Sequence, residues 1–199
     1  MHKRTAKADK KSQSGRLRIV AGKWRSRLLH IAEVPGLRPT SERIRETVFN
    51  WLAPQIAGSR CLDLFAGTGA LGLEALSRGA AKAVFVEKSS EAAATLESSI
   101  KLLGADGAKL RHTDAYKFLD NEDNDKFDIV FLDPPFADEN LGDLCRLLAG
   151  SSKLAPDAWI YIEEDRSAPA IELPDSWQVL KTKNAGNVRY SLIRSASNG

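Results

Sequence analysis

The chain has 199 residues and a formal net charge of +3, which is enough for one domain with a substantial core. No stretch reaches the length of a membrane span, and the first residues lack the apolar segment of a signal peptide. Only two cysteines occur, and the three histidines show no ligand spacing, which argues against a disulfide framework or a metal site. We therefore expect a cytoplasmic protein that binds neither a membrane nor a metal.

The charge is divided unevenly along the chain. Residues 1–50 hold 13 Lys or Arg and 4 acids, a formal +9, whereas the remaining residues hold 16 and 22, a formal −6. A basic arm on a mildly acidic body predicts a polyanionic partner that approaches from one side. Residues 1–15 carry lysines without periodicity, which predicts a disordered tail.

Residues 16–31 alternate apolar and polar side chains in places and predict a two-stranded ribbon with Gly22 near its turn. Three cations would project from this ribbon: Lys23, Arg25 and Arg27. Trp24 has two interpretations, because its ring can stack on a base or pack against the domain. The three cations and, in the first interpretation, the Trp24 ring are therefore candidate contacts for a nucleic acid.

Residues 42–53 predict a helix with Thr40 or Ser41 as its N-cap. Four residues at helical spacing form its apolar face: Ile44, Val48, Trp51 and Leu52. Arg38 and Arg43 lie near the helix start, where cations oppose the macrodipole. Their position indicates that an anion binds there. Pairing with the neighbouring glutamates is the alternative. The candidate RNA contacts of residues 16–53 are Lys23, Trp24, Arg25, Arg27, Arg38, Thr40 and Arg43.

A glycine-rich turn joins a predicted strand at residues 61–65 to a predicted helix at residues 70–77. Its glycines match the dinucleotide-binding pattern G-x-G-x-x-G at Gly67, Gly69 and Gly72. Glu87 ends the next predicted strand twenty residues after Gly67, where a partner for ribose hydroxyls is expected. Tight-turn glycines without a ligand are common, but the spacing to Glu87 favours a nucleotide-type cofactor.

The acidic residues favour one cofactor over another. Asp63 lies inside the first strand, where its charge would oppose the pyrophosphate of a nicotinamide cofactor but suits the ammonium of S-adenosylmethionine. Asp114 follows a third strand and can accept from an adenine amino group, cap the short helix at residues 115–119, or do both. The candidate cofactor contacts are Asp63, Phe65, Ala66, Gly67, Gly69, Glu87, Asp114 and Ala115.

The apolar run at residues 127–132 predicts a buried strand that ends abruptly at Asp133, Pro134, Pro135 and Phe136. Neither proline can donate to a sheet, so the segment offers one carboxylate, free carbonyls and a ring. Acceptors beside a ring suit a planar group with an amino substituent, such as the edge of a nucleobase. These four residues are the candidate catalytic set, and they favour methyl transfer over hydride transfer.

The remaining elements complete the fold prediction. Helices are predicted at residues 90–103 and 139–149, a fifth strand at 158–162, and a hairpin from strands 177–182 and 188–193. Strands that alternate with helices predict a mostly parallel sheet covered on both faces. The predicted fold is therefore α/β, with a C-terminal antiparallel hairpin and an N-terminal basic ribbon and helix.

Four blocks together resemble the bacterial 16S ribosomal RNA guanine-N2 methyltransferases of the RsmD type. They are residues 18–25, 36–52, 62–75 and 133–136, within a similarity that runs from about residue 17 through the final hairpin. The glycine loop and Asp-Pro-Pro-Phe are shared with many amino-methyltransferases, whereas the Arg-Pro-Thr helix joined to the basic ribbon is more specific to this family.

The resemblance implies a Rossmann-like class I methyltransferase with a seven-stranded sheet. It implies that the protein uses S-adenosylmethionine, releases S-adenosylhomocysteine, and modifies one guanine of 16S RNA within an assembled or assembling 30S particle. We expect a tail at residues 1–15, an RNA-binding extension at 16–53, a methyltransferase domain at 54–199, and a monomer.

The mechanism expected from these residues starts from a weakly nucleophilic amino nitrogen. Asp133 and the Pro134 carbonyl would accept its two hydrogens, and Phe136 would stack on the base. Asp-Pro-Pro-Phe selects an exocyclic amine rather than one base, so an adenine-N6 methyltransferase acting on RNA or DNA is one alternative. A non-catalytic RNA-binding assembly factor is another, and a nicotinamide oxidoreductase is more distant.

Overall fold

A computed structural model describes residues 15–32, 34, 40–121, 125–135 and 141–196. The described strands are β1 (Arg16–Arg18), β2 (Leu28–His30), β3 (Arg60–Asp63), β4 (Lys82–Glu87), β5 (Ala108–His112), β6 (Phe127–Leu132), β7 (Leu154–Asp165), β8 (Trp177–Ala185) and β9 (Val188–Ser195). The described helices are α1 (Glu42–Ile56), α2 (Ala70–Ser77), α3 (Ser90–Leu103), α4 (Ala115–Leu119) and α5 (Leu141–Gly150).

Seven strands form one sheet in the order β5-β4-β3-β6-β7-β9-β8. The first five are parallel, and β9 pairs antiparallel with both β7 and β8. This arrangement confirms the predicted mostly parallel sheet and its C-terminal hairpin. The parallel strands all end at the same edge of the sheet, where ligands bind in folds of this kind.

Helices cover both faces of the sheet. The ribbon β1–β2 and helices α1, α2 and α3 bury one face, whereas α4 and α5 bury the other. Central strand residues such as Ile129, Val130 and Phe131 are fully buried, and each contributes about 1.5–3 kcal/mol by leaving water. Because both faces of the sheet are covered, the sequences of the central strands are continuous apolar runs.

The N-terminal ribbon is part of the same core. Gly22 has φ +83°, and a Cβ built there would lie 1.8 Å from the Ser77 carbonyl oxygen, so only glycine fits. The Lys23 amide donates to that carbonyl at 2.7 Å, and the Trp24 amide donates to Ser77 Oγ at 3.0 Å. Helix α1 also continues across residue 53, the predicted end of the extension.

A buried ionic cluster joins these elements, and it centres on Glu74 of α2. Its carboxylate accepts from the Val20 and Ala21 amides at 2.8 and 3.0 Å, from Arg45 Nη1 at 3.3 Å and from Arg78 Nε at 2.8 Å. Arg45 lies off the predicted apolar face of α1, yet it is only 1% exposed. Its guanidinium also donates to the carbonyls of Arg18 and Thr40, so its hydrogen bonds tie α1 to the ribbon.

No helix within the described ranges is both long and apolar enough to cross a bilayer.

Candidate active site

A cavity of about 1030 Å³ opens at the carboxyl ends of the five parallel strands. It brings together residues that are far apart in sequence, and ten of the predicted cofactor and catalytic residues line it: Asp63, Phe65, Ala66, Gly67, Glu87, Asp114, Ala115, Asp133, Pro134 and Pro135. The loop after β3 and the turn after β6 therefore face one shared space.

The glycine loop after β3 is braced by Glu87. One carboxylate oxygen accepts from the Gly67 amide at 2.7 Å, and the other accepts from the Ser89 amide at 2.7 Å. Gly67 and Gly69 have φ +50° and +76°, a backbone region that favours glycine. Gly69 does not line the cavity; a Cβ there would approach Leu96 Cδ1 to 2.5 Å, so this glycine serves close packing against α3.

Asp63 ends β3 and is almost completely buried, at 2% exposure. It accepts from the Gly72 amide at 2.9 Å, and it forms no ion pair with any residue that the structure describes. Burial raises the pKa of Asp63 to about 7, the Gly72 hydrogen bond offsets part of that rise, and the charge of Glu87 adds to it. A buried carboxylate that has no cationic partner in the described protein is suited to bind a cationic ligand group.

Asp114 caps α4, as one of its two sequence interpretations predicts, and its contact with an adenine amino group stays a prediction. It is the N-cap of α4, where its side chain accepts from the Tyr116 amide at 2.9 Å. It also lines the cavity beside Ala115. The cap holds the carboxylate in place at the cavity wall.

Asp133 follows β6, the strand next to β3, and lines the same cavity. The Thr40 hydroxyl donates to its Oδ2 at 2.9 Å, so a residue just before α1 orients the candidate catalytic carboxylate. Burial and the nearby Glu163 raise the pKa of Asp133 well above its usual range, and the Thr40 hydrogen bond offsets part of the rise. Pro134 and Pro135 line the same wall, and Phe136 lies outside the described residues.

Glu163 is a site residue that sequence reasoning missed. Leu132 pairs with Ile162 in the β6–β7 register, which places Asp133 and Glu163 next to each other, and both line the cavity. The Tyr161 hydroxyl donates to Glu163 Oε1 at 2.5 Å. Burial raises the pKa of Glu163, and the hydrogen bond from Tyr161 offsets part of the rise. The signal in the sequence was a glutamate directly after the predicted fifth strand.

The predicted RNA contacts fall into four groups. Four of them are exposed cations: Lys23, Arg25, Arg27 and Arg43. Trp24 is only 8% exposed and lies in the core, so of its two interpretations the structure supports packing and corrects base stacking. Thr40 is 7% exposed and lies in the cavity wall rather than on the basic surface. Arg38 lies outside the described residues.

The residues present fit S-adenosylmethionine. The loop has a backbone conformation that favours glycine. Three carboxylates line the cavity without a cationic partner among the described residues: Asp63, Asp133 and Glu163. Across the ranges that the structure covers, no group of three His, Cys, Asp or Glu side chains could hold a metal ion. The sheet order and this cavity define a Rossmann-like S-adenosylmethionine-dependent methyltransferase fold.

Comparison with known proteins identifies the particular family. The profile of a family described as conserved hypothetical protein 95 matches residues 17–194. The chain is 42% identical to ribosomal RNA small subunit methyltransferase D of Escherichia coli strain K12, covering 94% of each chain. It is also 42% identical to the protein of the same name from Haemophilus influenzae, covering 91% of this chain and 95% of that one.

A solved structure agrees with this assignment. The yhhF protein from Escherichia coli superposes with a TM-score of 0.85 at 38% identity, covering 92% of this chain and 100% of that chain. The chain belongs to the ribosomal RNA small subunit methyltransferase D family.

Proposed function

We propose that the protein transfers a methyl group from S-adenosylmethionine to the exocyclic N2 of one guanine in 16S ribosomal RNA. The substrate is the RNA within an assembled or assembling 30S particle, and the protein works as a cytoplasmic monomer. The observation that carries this proposal is the shared cavity, which Asp133 and Pro134 line together with Asp63, Gly67 and Glu87. The names of the relatives from Escherichia coli and Haemophilus influenzae support the choice of small-subunit RNA.

The cofactor side of the cavity is assigned by charge and hydrogen-bonding capacity. When bound, S-adenosylmethionine supplies an electrophilic methyl group on a sulfonium and leaves as S-adenosylhomocysteine. Asp63 receives the ammonium, because its buried carboxylate has no other cationic partner within the described residues. Glu87 accepts from the ribose hydroxyls while it braces the loop, and Asp114 accepts from the adenine amino group. Phe65, Ala66 and Ala115 form the walls.

The base side of the cavity orients the nucleophile. Asp133 and the Pro134 carbonyl accept the two hydrogens of the guanine amino group, which leaves the nitrogen lone pair directed toward the methyl group. Thr40 holds Asp133 Oδ2 at 2.9 Å, so little reorganisation is needed when the base arrives. As the new N–C bond forms, the nitrogen becomes acidic and its proton passes to Asp133. The raised pKa of this carboxyl suits it to receive the proton.

The RNA is held by the exposed cations near the N-terminus. Four of these cations are exposed and do not line the cavity: Lys23, Arg25, Arg27 and Arg43. Arg38 lies near them in the sequence. A base inside a folded RNA must be turned outward to reach the cavity, at a cost of a few kcal/mol. Contacts with the flanking phosphates offset this cost and make binding depend on salt.

The test is identification of the methylated nucleoside. The protein is incubated with labelled S-adenosylmethionine and small ribosomal subunits that lack guanine-N2 methylation, and the RNA is digested and separated. We expect N2-methylguanosine from subunits and little from naked RNA. Methyladenosine would overturn the choice of base. Cofactor binding without transfer to subunits, naked RNA or DNA would indicate an RNA-binding assembly factor instead.

A further inference from the structure

The ends of β6 and β7 present two carboxylates to one cavity wall. Asp133 and Glu163 follow paired residues on adjacent parallel strands, and neighbouring strands lie about 4.8 Å apart. Both side chains line the cavity, and neither forms an ion pair with a residue that the structure describes. Two adjacent acceptors of this kind are complementary to a ligand edge that carries two adjacent hydrogen-bond donors.

Among the bases with an exocyclic amine, only guanine has such an edge. Its N1–H lies beside its N2 amino group, so the two positions together are donors. Adenine places an acceptor, its N1 lone pair, beside its N6 amino group, and cytosine likewise has an acceptor at N3 beside its N4 amino group. A carboxylate next to Asp133 therefore attracts guanine and repels the other two bases.

We propose that Glu163 selects the base, by accepting the N1–H of the target guanine while Asp133 accepts from its N2 amino group. This inference rests on the proposed function, and it assigns a residue to the choice of guanine over adenine that Asp-Pro-Pro-Phe leaves open. A site built to bind a substrate N–H discriminates strongly against an analogue that lacks it, because the buried acceptor is then left without a partner.

The neighbours of Glu163 keep its carboxylate in position. Tyr161 donates to Oε1 at 2.5 Å, and Thr40 donates to the adjacent Asp133 at 2.9 Å. Glu163 is only 4% exposed, so water competes little for its oxygens. Burial raises the pKa values of Glu163 and Asp133, and no cation among the described residues offsets this effect. The N–H donors of a bound base would offset it.

The test compares guanine with 2-aminopurine at the target position. 2-Aminopurine keeps the amino group but has an unprotonated N1, so it lacks the donor that Glu163 accepts. Small subunits are reconstituted with a synthetic RNA segment that carries either base at the position mapped by nucleoside analysis. The kcat/KM for methylation of each is measured with the wild-type protein and with Glu163→Gln.

We expect Glu163→Gln to lower kcat/KM for guanine by about 10- to 100-fold, because a charge-assisted hydrogen bond is removed. With Tyr161 donating to the amide oxygen, the amide NH2 faces the base and donates to N1 of 2-aminopurine. The preference for guanine over 2-aminopurine should therefore fall by at least about 100-fold. The matched control is Glu164→Gln, one residue along, where the side chain pairs with Arg189 and does not line the cavity. That variant should leave the preference unchanged.

A second readout needs no variant. Protonated Glu163 would donate to the N1 of 2-aminopurine, so the wild-type preference for guanine should decrease as the pH is lowered through the raised pKa of Glu163. Equal losses for both bases in Glu163→Gln, with a wild-type preference that does not change with pH, would overturn the inference. Absence of N2-methylguanosine from guanine-bearing subunits with the wild-type protein would instead overturn the proposed function, and this inference with it.

Discussion

Glu74 and the cavity carboxylates are both buried acids, but they differ in what surrounds them. Glu74 is fully buried and accepts from two backbone amides, from Arg45 and from Arg78. Asp63, Asp133 and Glu163 are also withdrawn from water, yet none of them has a cationic partner among the described residues. Burial raises the pKa of each of these three acids.

The presence or absence of protein cations beside a buried acid distinguishes a structural ion cluster from a candidate binding site. Burying an ion costs several kcal/mol, and protein cations and amides offset that cost at Glu74. At the cavity the cost is not offset within the described protein, so a bound cation and hydrogen-bond donors would offset it. Buried acids therefore stabilise the fold at Glu74, and under the function proposed above they bind ligand groups in the cavity.

The largest effect should follow from Asp133→Ala, which removes the acceptor that orients the amino group. We expect turnover to fall by at least about 1000-fold, since positioning and proton transfer are both removed. Cofactor binding, measured by isothermal titration, should stay nearly unchanged because Asp63 and Glu87 remain. The matched control is Asp128→Ala at the other end of β6, where the carboxylate pairs with Arg60 at the surface. Equal loss of turnover and cofactor binding in Asp133→Ala would contradict the assignment.

Glu74→Gln should destabilise the fold most strongly. It leaves Arg45 buried without its anionic partner, so we expect a loss of about 3–5 kcal/mol in the free energy of unfolding, measured in urea. The control Glu97→Gln removes an exposed pair with Lys101 and should cost less than about 0.5 kcal/mol. Equal stability of the two variants would show that Glu74 does not hold the ribbon, α1 and α2 together.

Asp63→Asn should act in the opposite direction on stability. The carboxyl has a folded pKa of about 7 against an ordinary value of 3.8, so the folded state binds more protons than the unfolded state between these values. Wild-type stability therefore falls as the pH rises from about 4 to about 7, and the neutral amide avoids this loss. We expect a gain of roughly 1–4 kcal/mol at pH 8 that shrinks toward pH 4, measured by urea unfolding at each pH.

The same variant should lose affinity for S-adenosylmethionine by at least about tenfold, because the ammonium loses its partner. A stability that is lower at pH 8, or an unchanged affinity, would show that Asp63 is compensated within the protein as Glu74 is.

The smallest effect should come from the exposed ribbon cations. Replacing Lys23, Arg25 and Arg27 by alanine should weaken binding to small subunits and lower the slope of its salt dependence by up to about one for each phosphate that is no longer bound. The rate at saturating subunits should not change, since none of the three lines the cavity. The control removes three exposed lysines outside the extension: Lys109, Lys117 and Lys126. An equal salt slope in both triple variants would exclude the ribbon from RNA binding.

Local sequence signals predicted most of the fold. Helix α3 begins and ends where expected, because Ser89 caps its first turn and Gly104 ends it in a left-handed conformation. Helices α2 and α4 and strand β6 also match their predicted bounds. The cavity residues Asp63, Glu87 and Asp133 were found for the same reason, since each follows or ends an apolar strand.

Long-range partners set the limit of prediction from sequence. Arg45 lies off the apolar face of α1, and only its contact with Glu74, 29 residues away, explains why it is buried. Glu163 was placed beyond a strand expected to end at residue 162, but pairing with β9 extends β7 to Asp165. Trp24 had two possible environments, and the choice depended on Ser77 of a distant helix.

The most direct measurement is the proton balance of S-adenosylmethionine binding. Isothermal titration of the wild-type protein at pH 6, in two buffers of different ionisation enthalpy, gives the number of protons exchanged. At this pH the ligand ammonium is already protonated and Asp63, with its pKa of about 7, is mostly neutral. If Asp63 ionises to pair with the ammonium of S-adenosylmethionine, binding should release close to one proton in the wild type and markedly less in Asp63→Asn. Proton uptake, or no exchange, would contradict that view of the site.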